Sequence, residues 1–109
     1  MPYSEEIAKR IRHVLKRHRG FREQKMFGGL AFMHNGNMCC GVIEEKLVLR
    51  LGKEGSEDVL REPFTAPFNF TGKVLSSIVY VLPHGYETDE NFKEWIGLAY
   101  KFTKNLPPK

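Results

Sequence analysis

The chain has 109 residues, a length that predicts one domain with a single hydrophobic core. Its apolar content of 41% and charged content of 28% are ordinary for a globular protein and exclude a disordered chain. No apolar run approaches the roughly 18 residues that span a bilayer, and the N-terminus is charged where a signal peptide would be apolar. We therefore expect a cytoplasmic protein without a membrane partner.

The formal net charge of +4 is concentrated near the N-terminus. Residues 1–25 contain eight Lys or Arg against three Glu, whereas the remainder contains nine against ten. Such asymmetry indicates either a polyanionic partner or a solvated helix face.

The first predicted element is an amphipathic helix that begins after Ser4, a good N-cap, and ends at Gly20, a good C-terminal stop. Its outer surface is basic and fits a phosphate backbone, with Arg22 and Lys25 extending the patch. The candidate nucleic-acid contacts are Lys9, Arg10, Arg12, Lys16, Arg17, Arg19, Arg22 and Lys25. The helix lacks Asn or Gln for bidentate reading of bases, so binding would be weakly sequence-specific. A solvated face, an acidic protein or a membrane surface are the alternatives.

A β-hairpin follows, with strands from Leu30 to His34 and from Asn37 to Ile43. The intervening Asn35-Gly36 dipeptide is the strongest short signal for a two-residue type I′ turn. A two-residue loop predicts the register of the two strands. In that register Met33 faces Met38, Phe32 faces Cys39 and Ala31 faces Cys40.

This register places the adjacent Cys39 and Cys40 on opposite faces of the sheet, which predicts reduced thiols packed in the core. A zinc site is not expected, because His34 and Cys39 would share a face from which Cys40 points away. A redox-sensing thiol is the alternative, and it would need to be exposed and of lowered pKa.

The remaining elements are taken from turn and capping signals. A third strand runs from Leu47 to Leu51, and after the Gly52–Gly55 break a short helix runs from Ser56 to Arg61. An irregular apolar arm follows from Glu62 to Gly72 and contains Phe64, Phe68 and Phe70. A strand from Lys73 to Leu82 and a last helix capped by Thr88 complete the chain. We expect the arm to cover the core, with a peptide-binding surface as the alternative.

Both faces of the hairpin are apolar, whereas a half-solvated antiparallel sheet would alternate apolar with polar residues. The sheet is therefore expected to be covered on both sides, by helices, by the apolar arm or by another subunit. A homodimer formed through one sheet face is a hypothesis that follows from this pattern.

The segment "KMFGGLAFMHNGNMCCGVIEEKLVLRL", the later "PFNFTGK" and the "WIGLA" of the last helix resemble the N-terminal domain of the TfoX/Sxy family of bacterial competence regulators. The resemblance runs from about Arg22 to Phe102. It implies an α+β fold with an N-terminal helix, a three-stranded antiparallel meander, a short helix, further strand(s) and a C-terminal helix. It also implies one domain over residues 1–109, without the helical C-terminal domain of longer members, and offers no catalytic residues.

No catalytic or cofactor motif stands out in the sequence. The four histidines are scattered, and Gly28-Gly29 precedes a strand where phosphate-binding glycines would introduce a helix. We expect no enzyme, no cofactor and no metal. The predicted function is a non-enzymatic regulatory module that contacts nucleic acid or a transcription-associated protein. The alternative is a protein-interaction or homodimerisation module that does not bind nucleic acid.

Overall fold

The computed structural model describes residues 3–69, 72 and 74–108. The elements in chain order are α1 (Glu5–Leu15), β1 (Phe21–Met26), β2 (Gly29–His34), β3 (Asn37–Ile43), β4 (Lys46–Arg50), α2 (Gly52–Val59), β5 (Thr65–Phe68), β6 (Leu75–Val81), a 3₁₀ turn (Pro83–Tyr86) and α3 (Asp89–Thr103). Within the described residues the strands form one antiparallel sheet in the order β1-β2-β3-β4-β6-β5. The predicted α+β class and the β2-β3-β4 meander are confirmed.

The three helices pack on the sheet through one continuous apolar core. Helix α1 contacts β3 and α3, α3 lies on β3 and β4, and α2 lies on β6, so that α3 has α1 on one side and α2 on the other. Thr88 caps α3 by accepting from the Asn91 N–H at 3.0 Å, as predicted. None of the helices within the residues that the structure describes is long and apolar enough to cross a bilayer.

The opposite sheet face is covered by phenylalanines from two distant segments. Phe27, between β1 and β2, meets Phe68 of β5 edge to face, with ring centroids 5.8 Å apart. Ala31 and Val48 on this face are fully buried. The prediction that both faces are covered is confirmed, and one chain provides the cover. Phe70, the third phenylalanine of the predicted arm, lies outside the described residues.

The hairpin register differs from the prediction beyond its first pair. Met33 faces Met38, but a bulge between Phe32 and Met33 shifts the ladder, so that Phe32 pairs with Cys40 and Ala31 with Gly41. The observed register places Gly41 beneath Phe27, where a Cβ atom would lie 3.1 Å from the ring and 2.5 Å from the Leu30 carbonyl oxygen. The extra residue of the bulge is Cys39 on β3. Beyond it, the side chains of β3 no longer point to the faces that strict alternation predicted.

Two further elements differ from the prediction. Strand β1 was not predicted, because its exposed residues 22–25 are all polar and show no apolar face. Helix α2 begins at Gly52 rather than after Ser56, and Ser56 is buried within it. Gly52 has φ +78°, and a Cβ atom there would lie 2.6 Å from the Phe102 ring. The glycine therefore begins the helix at a point where a side chain does not fit.

The apolar arm is partly regular, whereas the sequence predicted an irregular segment. Thr65–Phe68 pairs with β6 as an edge strand, and Phe68 covers the sheet as expected. Phe64 does not cover the sheet, because 48% of its surface is exposed on the helix side of the molecule, beside His84. The arm thus contributes one phenylalanine to the core and one to the surface.

Candidate nucleic-acid interface

Helix α1 presents cations to solvent because its apolar residues face the sheet. Its first turn is capped by Ser4, whose Oγ accepts from the Ile7 N–H at 3.2 Å. Ile7 and Leu15 are buried. Lys9 on the helix and Lys16 at its C-cap are both exposed.

Arg10 is engaged within the fold. One guanidinium nitrogen lies 3.3 Å from the Asp89 carboxylate and donates to the Tyr86 carbonyl oxygen at 3.3 Å. The guanidinium carbon also stands 4.1 Å from the centre of the Phe92 ring, which is buried in the core. Arg10 therefore joins α1 to the start of α3, although the sequence grouped it with the surface cations.

Arg12 is engaged in an ion-pair network. It donates two hydrogen bonds to Glu23 of β1, at 2.6 and 2.8 Å, and a third to Glu5 at 2.7 Å. The hydrogen bonds to Glu23 and then Glu5 raise the pKa of the Arg12 guanidinium, and the bond from Arg12 lowers the pKa of Glu23. Two carboxylates thus offset the charge of Arg12, which ties α1 to the edge strand.

The helix ends at Leu15 rather than at Gly20, where the sequence placed its stop. The His18 N–H donates to the Leu15 carbonyl at 2.9 Å, and the His18 ring stacks on Tyr100 of α3 at 4.0 Å. Gly20, with φ +87°, then accepts a backbone hydrogen bond from Asn35 of the hairpin turn. Packing of the loop on α3 and on the turn thus overrides continuation of the helix, and residues 16–20 form an irregular loop.

The loop and the start of β1 place four of the six remaining cations near one end of α1. Lys16, Arg17, Arg19 and Arg22 are exposed and lie within seven residues of one another along the chain; we call these four residues the basic patch. Lys16 and Arg22 line the same shallow cavity of about 390 Å³. Lys25 is exposed further along β1, on the face opposite to Arg22, because side chains alternate along a strand.

The exposed cations differ from Arg10 and Arg12 in lacking a carboxylate partner. Lys9, Lys16, Arg17, Arg19, Arg22 and Lys25 form no ion pair with any residue that the structure describes. Their charge is therefore available to an external anion. The structure divides the eight predicted contacts into two that hold α1 in place and six that face solvent.

The two cysteines share one side of the sheet, which corrects the prediction of opposite faces. The bulge places Cys39 and Cys40 in the helix-facing core, where both are fully buried. The hydrogen bond between the two thiols, together with burial, raises the pKa of Cys40, while that same bond, Thr103 and the charge of Arg50 lower the pKa of Cys39. Burial removes the exposure that a redox-sensing thiol needs.

The histidines are less scattered in space than in sequence. His18 and His34 both contact Tyr100, with ring centroids 4.0 and 5.4 Å from the tyrosine ring, whereas His13 and His84 are exposed elsewhere. Over residues 3–69, 72 and 74–108, no three His, Cys, Asp or Glu side chains converge as metal ligands. The histidine pair serves to pack the loop after α1.

A second feature was not recognised from the sequence. A cavity of about 840 Å³ lies between α2 and α3, on the side of α3 away from α1, and Trp95 and Leu98 are among its lining residues. Trp95 is partly buried against the core, whereas Leu98 is exposed to solvent. Leu98 is 45% exposed, a property of the folded chain that no pattern in the sequence indicated.

Comparison with known proteins identifies the fold. The family model described as the TfoX N-terminal domain matches residues 13–103, most of the chain, including β1 to β6 and α3. A comparison with curated proteins gave no match. The matched segment contains the hairpin and the "WIGLA" segment on which the resemblance was based. The chain belongs to the TfoX N-terminal domain family.

Proposed function

We propose that this domain is a non-enzymatic regulatory module that contacts the phosphate backbone of nucleic acid through the basic patch. Family membership supports a competence-related regulatory role. The observation that carries the proposal is the set of exposed cations at the end of α1 that have no carboxylate partner among the described residues. Lys9 extends this surface along α1, whereas Lys25 lies on the other face of β1 from Arg22.

The chemistry of the patch favours phosphate over bases. Lys and Arg that neutralise phosphates release condensed counterions, which makes binding strongly dependent on salt. The patch contains no Asn or Gln, the side chains that read adenine in a bidentate manner. Its position on a loop and an edge strand also differs from a helix inserted in the major groove. We therefore propose binding with weak sequence preference, at dissociation constants of about 10⁻⁴–10⁻⁶ M at physiological salt.

The test is fluorescence anisotropy with a labelled duplex of about 20 base pairs, titrated at several salt concentrations from about 50 mM. The test variant combines Lys16→Glu, Arg17→Glu and Arg19→Glu. The matched control combines Lys53→Glu, Arg61→Glu and Lys93→Glu, three exposed cations on α2, the following loop and α3 that undergo the same change of charge. Both variants leave the engaged Arg10 and Arg12 in place.

The basic-patch variant should lose about tenfold to a hundredfold in affinity at low salt, and the slope of log affinity against log salt should become shallower by about three. The control should lose much less. Equal losses in the two variants would assign the binding to net charge alone. Absence of salt-sensitive binding by the unmodified protein at about 50 mM salt would contradict the proposal and favour the protein-interaction alternative.

A further inference from the structure

The cavity between α2 and α3 is an elongated groove. Its α3 wall runs from Asn91 through Trp95 and Leu98 to Phe102, a stripe spaced by three or four residues, and Asn105 continues it just beyond the end of the helix. At about 1.5 Å per residue the helical part of this stripe is about 17 Å long, or three helical turns. The opposite wall is formed by α2 and the following loop. The shape suits a rod-like ligand better than a compact one.

The groove exposes apolar surface that the fold leaves uncovered. Leu98 and Phe64 lie on its two walls and are 45% and 48% exposed. The Trp95 indole N–H donates to the Gly85 carbonyl at 2.8 Å, which fixes the ring at the groove. Gly55 of α2 also lines the groove and adds no side chain to fill it. Such a surface, apolar and held in a fixed shape, is typical of grooves that accept an amphipathic helix.

Carboxylates dominate the charge of the groove. Asp58, Glu62 and Glu94 line it against a single lysine, Lys101. None of these four forms an ion pair with a residue in the described part of the chain. The rim is therefore complementary to a ligand that carries positive charge beside its apolar side chains.

We propose that the α2–α3 groove binds an amphipathic helical segment of a partner protein, with apolar side chains spaced by three or four residues between the helices and Lys or Arg beside the carboxylates. A second copy of this chain does not offer such a segment within the described residues. Its basic helix, α1, has Ile7, Ile11 and Leu15 buried against the sheet. The groove thus selects a different protein, and it is separate from the basic patch.

The probe is a capped model peptide of about 15 residues with Leu at helical spacing, Lys on its flanks and Ala elsewhere. Trp95 is the only tryptophan of the chain, so its fluorescence reports occupation of the groove directly. The peptide should produce a saturable change in this fluorescence. A peptide in which Glu replaces each Lys, and a scrambled peptide of the same composition, should bind at least about tenfold more weakly.

Leu98→Asp separates docking from simple charge attraction. The substitution adds a carboxylate, which would strengthen a purely electrostatic contact, but it removes the apolar anchor. The proposal requires a loss of about tenfold or more. Glu94→Lys should also weaken binding and reduce its salt dependence. Glu6→Lys, at an exposed acidic position on α1, and Arg17→Glu in the basic patch should leave binding unchanged. Circular dichroism and the Tm confirm that each variant is folded.

Three results would overturn the proposal. One is unchanged or tighter binding by Leu98→Asp, and another is equal affinity for the basic, acidic and scrambled peptides. The third is a dimer in sedimentation of the protein alone that Leu98→Asp dissociates, which would assign the groove to a second copy. Because the nucleic-acid test changes residues of the basic patch and this test changes Leu98, failure of either proposal can be told apart from failure of the other.

Discussion

The two sides of α3 present opposite kinds of surface. Towards α1, Tyr100 supports a loop that displays cations. Towards α2, Trp95 and Leu98 line an apolar groove with a carboxylate rim. A charged surface without an apolar anchor favours salt-sensitive binding of a polyanion, whereas an apolar groove favours a ligand whose shape and apolar side chains fit it. One helix therefore separates a charged surface from an apolar one.

The largest contrast should appear in stability, between Tyr100→Ala and Leu98→Ala. Tyr100 stacks on His18 and also contacts His34 and Phe21, so its removal undermines the loop after α1. We expect a loss of about 2–4 kcal/mol in the free energy of unfolding. Leu98 has 45% of its surface exposed in the open groove, and its truncation should cost about 0.5 kcal/mol or less.

Urea denaturation of the two variants measures this difference, with the unmodified protein as reference. The two positions lie in the same helix, two residues apart, so intrinsic helix propensity does not explain a large gap between them. Equal losses would show that the groove residue is covered in solution, for example by self-association. That result would remove the distinction between a supported loop and an open groove.

The second prediction separates cations that hold the fold from cations that face solvent. Arg10→Ala removes the contact with Phe92 and the hydrogen bonds to Asp89 and Tyr86, and should lower the free energy of unfolding by about 1–2 kcal/mol. Arg17→Ala should leave stability within about 0.5 kcal/mol of the unmodified protein but weaken duplex binding.

Urea denaturation gives the free energy of unfolding of each variant, and duplex anisotropy gives the affinity of each variant for DNA. The expected pattern is a stability loss for Arg10→Ala alone and a clear affinity loss for Arg17→Ala. If Arg10→Ala instead weakened duplex binding as much as Arg17→Ala while leaving stability unchanged, Arg10 would belong to the interface and the sequence-based set of eight would be restored.

Local signals in the sequence predicted much of the fold. Ser4 and Thr88 begin helices as expected, and Asn35-Gly36 sets the hairpin turn, because caps and two-residue turns depend on a few neighbouring residues. The bulge in the hairpin was not predictable in this way. It places Gly41 beneath Phe27, a contact between segments that only the folded sheet brings together.

The candidate sites were predicted unevenly for a similar reason. The positive charge of residues 1–25 is evident from composition, but the partners of Arg10 and Arg12, Asp89 and Glu23, are chosen by tertiary packing. The groove has no sequence signal of its own, since Phe64 and Trp95 come from segments that meet only after α2 and α3 have docked. Charge patterns therefore predict a surface but not which of its members remain free.

The smallest expected effect concerns the ion pair that links α1 to β1. The hydrogen bonds from Arg12 hold the pKa of Glu23 below its usual range, so the folded state favours the ionised carboxylate. The resulting stabilisation is present above the usual carboxyl range and is lost as the pH falls through the lowered pKa of the folded state. Both side chains are about 40% exposed, so solvent screening limits the contribution to about 0.5 kcal/mol.

Urea denaturation between pH 6 and pH 3 should therefore show that the unmodified protein loses stability more steeply than Glu23→Gln, and that the two converge at the acidic end. Glu57→Gln, at an exposed carboxylate of α2 without an ion pair to any described residue, serves as the control and should run parallel to the unmodified protein. A gap between Glu23→Gln and the unmodified protein that does not change with pH would mean that Glu23 contributes through packing alone. Glu5 would then be the one carboxylate among the described residues that offsets the charge of Arg12.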